Sequence, residues 1–325
     1  MEEKDQRGHD VGPQPLPLIF LGTPDFAVPS LEHLLTARAD IRLVVTQPDR
    51  PKGRGKKLSP TPVKLLAEKY RLPIYQPERI KERGAIAEIH RYAAQCAVLV
   101  AYGQLLPKAF LDLFPLGVLN VHASLLPRHR GAAPIQRALL AGESTTGVTI
   151  MLLDEGMDSG PVLTQRELPI SVEDNSGSLH EKLARAGAEL LLETLEQWRA
   201  GLIQPRLQDN SAATYAPPIN KQELRLNWQL PADRLVNAVR AFDPWPGAYT
   251  FYQQKRLKCY RARLLEWRAE GRPGAILGIV DERLAVIGGD GAVLGIGDLQ
   301  LEGQRRLPAT DFVRGQPLNA GSFLR

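Results

Sequence analysis

The feature that most constrains the fold is an alternation along roughly the first 200 residues. Short apolar, β-branched runs take turns with helix-patterned stretches, the pattern of a parallel sheet covered on both faces. Strands are predicted at Pro17 to Leu21, Ile41 to Thr46, Leu72 to Tyr75, Ala97 to Ala101 and Val118 to Val121. Helices are predicted from Ser30, at Pro62 to Tyr70, at Ala85 to Ala94 and at Pro134 to Ala141. The pattern then changes. Gly147 to Asp154 and Val162 to Leu168 read as strands with no helix between them, joined by Glu155-Gly-Met-Asp-Ser-Gly160, which predicts a late hairpin or an irregular crossover. Ser176 to Trp198 reads as a long amphipathic helix that closes this α/β unit.

Periodicity is lost between Gly201 and Asn220, where Pro205, Ser211, Pro217 and Pro218 fit a surface linker. A helix at Ala232 to Ala241 follows. Short strands come next, punctuated by Pro246-Gly247, Gly271 to Gly274, Gly288 to Gly291 and Gly295 to Gly297, which predicts a small barrel. The expected organisation is an extension at 1–16, a first domain at 17–201, a linker at 202–220 and a second domain at 221–325.

Composition narrows the class. With 43% hydrophobic and 24% charged residues in 325, the chain is neither disordered nor fibrous. Two distant cysteines, Cys96 and Cys259, cannot staple a scaffold or supply a four-thiolate metal site, and they fit a reducing compartment. No apolar run approaches a membrane span, so a cytoplasmic protein is expected. The net charge of +5 is carried entirely by residues 202–325, which hold 17 Lys+Arg against 12 Asp+Glu. A second concentration of charge is Arg50, Lys52, Arg54, Lys56 and Lys57, five cations spaced by Pro51, Gly53 and Gly55. A polyanion is the partner to consider, against the alternative of a solvated loop.

Ligands of open parallel sheets sit beyond the carboxyl ends of the strands. Two such ends carry chemistry: Ala101-Tyr-Gly-Gln-Leu-Leu-Pro107 and Asn120-Val-His-Ala-Ser-Leu-Leu-Pro127. Strand alternation puts Asn120 and His122 on one face, about 6.5 to 7 Å apart along the chain. An amide donor beside an imidazole suits acyl transfer, where charge develops on a carbonyl oxygen. Asp158, in the glycine-flanked Gly156-Met-Asp-Ser-Gly160 loop, is the best candidate for a carboxylate that orients the histidine. A structural histidine remains the alternative at this point. Ser124 lacks a nucleophile elbow, Cys96 starts an apolar run, the Gly22 and Lys52 segments match neither dinucleotide nor P-loop patterns, and the six histidines form no ligand set.

Together, Gly22-Thr-Pro-Asp-Phe-Ala27, Thr46-Gln-Pro-Asp-Arg-Pro51, Gly53-Arg-Gly-Lys-Lys57, the Asn120 to Pro134 stretch, Asp158-Ser-Gly160 and Ala241-Phe-Asp-Pro-Trp-Pro246 resemble the folate-dependent formyltransferase family, in particular its methionyl-tRNA branch. The resemblance implies a Rossmann-like domain followed by a barrel of the oligonucleotide-binding type. It implies formyl transfer from 10-formyltetrahydrofolate to initiator methionyl-tRNA by a monomer without a metal, with Asn120, His122 and Asp158 as the catalytic set. Tyr102, Gly103, Gln104 and Leu105, with Ser124, Leu125, Leu126 and Pro127, are implied to line the pterin site largely through backbone groups. Arg54 is implied to engage the acceptor end of the tRNA, and residues 1–16 to be disordered. A formyltransferase of small amines would not need the basic loop and tail. A non-catalytic RNA-binding protein would leave Asn120, His122 and Asp158 without a role.

Overall fold

The computed structural model describes residues 16–52, 57–316, 318 and 320–325. The expectations for 1–15, Arg54 and Lys56 lie outside the described residues. Leu16, counted with the extension on sequence grounds, is a buried apolar residue leading into the first strand. The chain gathers into two compact units. One runs to Val121 and takes in Leu152–Glu155 and Leu191–Gln204; the other holds His122–Met151, Gly156–Leu190 and Pro205–Arg325.

The first unit begins with β1 (Pro17–Gly22), α1 (Val28–Thr36), β2 (Asp40–Val45), β3 (Arg50–Lys52), β4 (Lys57–Ser59), α2 (Pro62–Lys69) and β5 (Ile74–Tyr75). It continues with α3 (Arg83–His90), β6 (Cys96–Val100), α4 (Lys108–Leu111) and β7 (Val118–His122), whose last residue opens the second unit. Parallel pairing gives the order β5-β2-β1-β6-β7. The chain moves one way from β1 to β5 and then returns to the other side of β1, so the strand order reverses between β1 and β6, where neighbouring loops diverge. Alternate residues of these strands, Ile19, Leu21, Leu43, Val45, Ala97 and Val118, pack against Ile89 of α3 and Phe110 of α4 in one core cluster. Local chemistry sets the helix ends. The Thr61 hydroxyl caps α2 by accepting from the Lys64 N–H at 3.1 Å, with Pro62 at the first helical position.

The basic segment differs from the loop its composition suggests. β3 and β4 form an antiparallel ladder in which Lys52 lies opposite Lys57. The alternating Pro and Gly residues concealed this short hairpin.

The second unit contains α5 (Pro134–Ala141), most of β8 (Thr145–Leu152), β9 (Val162–Pro169), the start of α6 (Ser176–Arg199), and α7 (Ala232–Phe242). β8 and β9 pair antiparallel, as the hairpin reading expects. At the start of α6, the Asn175 side chain accepts from the Ser178 N–H at 2.9 Å and the Ser178 hydroxyl accepts from the Asn175 N–H at 3.1 Å. This reciprocal cap satisfies donors that the first helical turn would leave free.

An antiparallel sheet follows: β10 (Ala248–Tyr252), β11 (Lys255–Arg268), β12 (Ile276–Val280), β13 (Arg283–Ile287), β14 (Ala292–Leu301) and β15 (Leu307–Pro308), then α8 (Ala309–Gly315). Its order is β10-β11-β14-β13-β12, with β15 on β14. Residues 321–325 bond to both edge strands. Phe251 and Arg325 exchange backbone hydrogen bonds of 2.7 and 3.0 Å, and the Ile276 N–H donates to the Ser322 carbonyl at 2.9 Å. The tail thereby closes the sheet into the expected barrel and covers both edges. Gly295 and Gly297 mark no turn. They lie inside β14, where a Cβ would come within about 3 Å of the Arg283 and Arg261 side chains, so their bareness lets those arginines cross the strand. No helix of the described residues is long and apolar enough to cross a membrane.

Two predictions follow from burial. Cys96 and Cys259 are free and buried, and burial pushes each thiol up to about 12. A thiol-specific chromogenic reagent at pH 8 is expected to leave both unmodified in the folded protein and to titrate two thiols in denaturant. The second concerns Asp174. Burial raises its pKa, but hydrogen bonds from Lys182 Nζ (2.7 Å), the Ser178 hydroxyl (2.7 Å) and the Ser171 N–H (2.8 Å) outweigh burial and hold it below the usual carboxylate range. A depressed pKa contributes stability above the unfolded value of about 4, lost as pH falls through the lower folded value. Asp174→Asn is therefore expected to cost about 2 kcal/mol near neutrality. Melting curves should show that difference shrinking as the pH is lowered from about 4, where the unfolded carboxylate protonates.

Candidate active site

The switch point between β1 and β6 is built from short polar side chains. The Thr23 hydroxyl donates to the Tyr102 carbonyl at 2.9 Å, joining the loops that leave the two strands. Gln47, just beyond β2, donates from Nε2 to the same carbonyl at 3.3 Å, and its own carbonyl accepts from Gln76 Nε2 at 2.8 Å. Gln104 ties the loop back further: its Oε1 accepts from the Ile80 N–H at 2.9 Å and its Nε2 donates to the Glu78 carbonyl at 3.1 Å. Thr23 and Gln47 stand inside motifs that carry the resemblance but receive no role there, and Gln76 lies outside them, since neutral amides and hydroxyls carry no periodic or charge signal.

The residues implied for a pterin site fall into two groups. The Tyr102 ring is buried in the core of the first unit, its carbonyl already accepts two bonds, and its hydroxyl is buried without a partner. Burial drives that phenol well above its usual range. Gln104 works as the loop clamp just described. Gly103 has φ +92° with nothing within 4 Å of where a side chain would begin, and Leu105 is 86% exposed; these two remain open. In the second unit, the Ser124 hydroxyl donates to the Arg128 carbonyl at 2.6 Å, and the Ser124 carbonyl accepts from the Thr149 hydroxyl at 2.7 Å. The Leu126 N–H donates to Thr149 Oγ1 at 3.1 Å and its carbonyl accepts from Gln165 Nε2 at 2.8 Å. Leu125 and Pro127 are half-buried. Thr149 and Gln165, on the β8–β9 hairpin, thus shape the Ser124–Pro127 turn.

β7 carries Asn120 and His122, both buried, with Asn120 in register with Leu99 of β6. Two residues apart on one strand, they lie on one face, as the alternation predicts. Asp158 is placed beside His122: its Oδ2 lies 3.7 Å from His122 Nδ1 and accepts from the Gly131 N–H at 2.8 Å. The opposite ring nitrogen, His122 Nε2, lies 3.0 Å from the His129 carbonyl. A carbonyl only accepts, so Nε2 carries a hydrogen and donates it. The imidazole is thus anchored at Nε2, and Nδ1 is the nitrogen turned toward Asp158. The 3.7 Å spacing exceeds a hydrogen bond, leaving Nδ1 and the carboxylate side by side rather than closed on each other.

The loop after His122 is pinned at several points. His129 Nε2 pairs with Glu143 Oε1 at 2.9 Å, Arg128 binds the same carboxylate, and the His129 N–H donates to Thr214 Oγ1 at 2.9 Å. Asp158 has φ +50°, a left-handed conformation uncommon for a side-chain-bearing residue but tolerated by aspartate. Among the described residues of the basic hairpin, Arg50 pairs with Glu78 at 3.0 Å, with both side chains well exposed. No group of three His, Cys, Asp or Glu among the described residues is arranged to hold a metal ion.

Comparison with known proteins identifies the domains that carry these residues. Residues 17–195 match the formyl transferase family and residues 218–317 match the C-terminal domain of formyl transferases. The methionyl-tRNA formyltransferase of Pelobacter propionicus is 45% identical over 307 residues, covering 94% of this chain and 95% of that one. That of Geobacter sulfurreducens is 44% identical over 309 residues, covering 95% and 96%. Among solved structures, HypX from Aquifex aeolicus in complex with tetrahydrofolic acid is similar in fold (TM-score 0.64, 19% identity, 96% of this chain and 51% of that one). So is the N-formyltransferase from Helicobacter canadensis in complex with folinic acid and dTDP-3-aminofucose (TM-score 0.65, 18% identity, 86% and 98%). With both domains matched in order and relatives of 44–45% identity covered over 95–96% of their length, the chain belongs to the formyl transferase family, in its methionyl-tRNA formyltransferase branch.

Proposed function

We propose that this protein transfers the formyl group of 10-formyltetrahydrofolate to the α-amino group of methionyl-initiator-tRNA, releasing N-formylmethionyl-tRNA and tetrahydrofolate. The observation that carries the reading is the Asp158–His122 pair, with one imidazole nitrogen anchored and the other 3.7 Å from a carboxylate, on the strand that also bears Asn120. The folate supplies a formyl carbon bonded to a nitrogen that can leave. The left-handed, open turn at Gly103 and the exposed Leu105 fit a flat aromatic ring approaching the Ala101–Pro107 loop.

In this reading the incoming amine forms a bond to the formyl carbon as the bond from that carbon to the folate nitrogen breaks. The amine gives up one proton and the departing nitrogen gains one. Asn120 donates a hydrogen bond to the formyl oxygen as negative charge develops there. A protonated His122 adds a second charge-assisted donor through Nδ1 and is paired by Asp158, which also takes the proton of the attacking amine, directly or through water. Arg50, Lys52, Arg54, Lys56 and Lys57 of the basic segment contact acceptor-end phosphates, with Arg54 as the central contact by family likeness. The same reading expects a cytoplasmic protein, which its two distant cysteines fit, and takes the monomeric state from the family likeness alone.

Asn120→Ala or His122→Ala is expected to lower kcat for formylation of charged initiator tRNA by about 10²- to 10³-fold, since each removes a transition-state donor. Binding of the tRNA, measured by fluorescence anisotropy, should stay within about threefold. A variant with normal turnover and tenfold weaker tRNA binding would overturn the catalytic assignment.

A further inference from the structure

The stretch after Gln204 reads in the sequence as a spacer, but in the second unit it is a strap laid against the loops that build the Asp158–His122 pair. Arg206 exchanges backbone hydrogen bonds with Val162 at 2.8 and 2.9 Å. The Arg130 N–H donates to the Thr214 carbonyl at 2.9 Å, and the Ala216 N–H to the Arg130 carbonyl at 2.7 Å. The approach is close enough that a Cβ on Gly131, at φ +119°, would sit 2.9 Å from the Ala216 carbonyl oxygen. Gly131 is the residue whose N–H binds the Asp158 carboxylate.

From this strap Gln208 reaches both loops. Its Nε2 donates to the Asp158 carbonyl at 2.8 Å and to the Gly160 carbonyl at 2.7 Å. Its Oε1 accepts from Arg130 Nε at 3.0 Å and Nη2 at 2.8 Å, and Arg130 Nη2 also donates to Asn210 Oδ1 at 2.9 Å. One amide therefore spends both hydrogens on the backbone of the Asp158 loop and its oxygen on a buried guanidinium from the loop that presents the His129 carbonyl and the Gly131 N–H. Arg130 is 4% exposed and donates to the neutral amide oxygens of Gln208 and Asn210, so its fixed orientation depends on them.

We propose that Gln208 is a positioning residue for formyl transfer: it locks the left-handed Asp158 loop to Arg130 and so fixes the carboxylate at its working distance from His122. The proposal rests on the catalytic reading given above. It assigns a chemical task to a segment that carries none of the reacting groups. A carbonyl-to-amide-to-guanidinium bridge has one polarity, which makes the side chain testable atom by atom.

Gln208→Glu keeps the oxygen that holds Arg130 and removes both N–H donors to the Asp158 loop. It is expected to fold with a melting temperature close to that of the unaltered protein, to lower kcat at least tenfold and to leave both KM values within twofold. Asp209→Ala serves as the control. It removes the Asp209 cap on the Ser211 N–H within the same strap without touching either loop, and kcat should be unchanged. In parallel, the ¹⁵N signal of His122 Nδ1 should move in Gln208→Glu and stay in place in Asp209→Ala. Wild-type kcat with an unmoved His122 signal in Gln208→Glu would overturn the proposal, as would an equal loss of kcat in Asp209→Ala. If the unaltered protein fails to formylate methionyl-tRNA, the functional reading fails instead, and the nitrogen signal still tests whether Gln208 positions the pair.

Discussion

The site depends on a constraint that is easily stated: a carboxylate and an imidazole must stand close together in a largely buried place without collapsing onto each other. His122 is 6% exposed, and such a ring needs partners for both nitrogens. The His129 carbonyl takes one, and Asp158 faces the other at 3.7 Å. Neither partner is free to drift. Asp158 accepts the Gly131 N–H through its side chain and the Gln208 amide through its backbone, while His129 is held through Glu143 and Thr214. Pre-set geometry of this kind lets donors act on developing charge with little reorganisation.

A second polar network organises the barrel. Asp243 is 2% exposed, and it accepts from Arg306 Nη1 at 3.0 Å and from the Arg261 N–H at 3.0 Å; Arg306 also binds Asp298 and lies over the Tyr260 ring at 4.0 Å. The Asp243 carbonyl accepts from the Ser176 hydroxyl at 2.8 Å and the Gly177 N–H at 3.2 Å, at the beginning of α6. The Asp-Pro-Trp-Pro landmark therefore does structural work: its acid is paired inside the barrel and its backbone receives a helix start. Removing one partner of such a network leaves a buried charge uncompensated.

Much of the architecture was legible in the sequence. The five parallel strands stand where short, β-branched apolar runs occur, because burial of both sheet faces leaves few polar positions in them, Asn120 and His122 of β7 being the ones that carry chemistry. The helices at Pro134–Ala141 and Ala232–Phe242 start after recognisable proline signals. Elsewhere, the signal was mixed. The β13–β14 hairpin turns at residues 288–291 as its glycines predict, but the β10–β11 and β12–β13 hairpins turn on Gln253-Gln254 and Asp281-Glu282, all at positive φ, and Gly295 and Gly297 serve as bare positions within a strand. Turn chemistry is a preference worth little next to the pairing of long strands, and side-chain clearance inside a sheet leaves no local trace.

The sequence by itself determined the α/β pattern, the placement of Asn120 and His122 on one strand face, and the presence of a glycine-flanked Asp158 loop, because periodicity and alternation are properties of neighbouring residues. Only the tertiary structure decided that Asp158 faces Nδ1, that a stretch read as a spacer is a strap, and that Gln208 and Arg130 hold the loops together. Those contacts join residues up to 86 positions apart, Ala216 and Arg130 being the most distant pair. Each joins polar groups whose residue types occur on any protein surface, so their meaning arises only when the folded backbone brings the partners together.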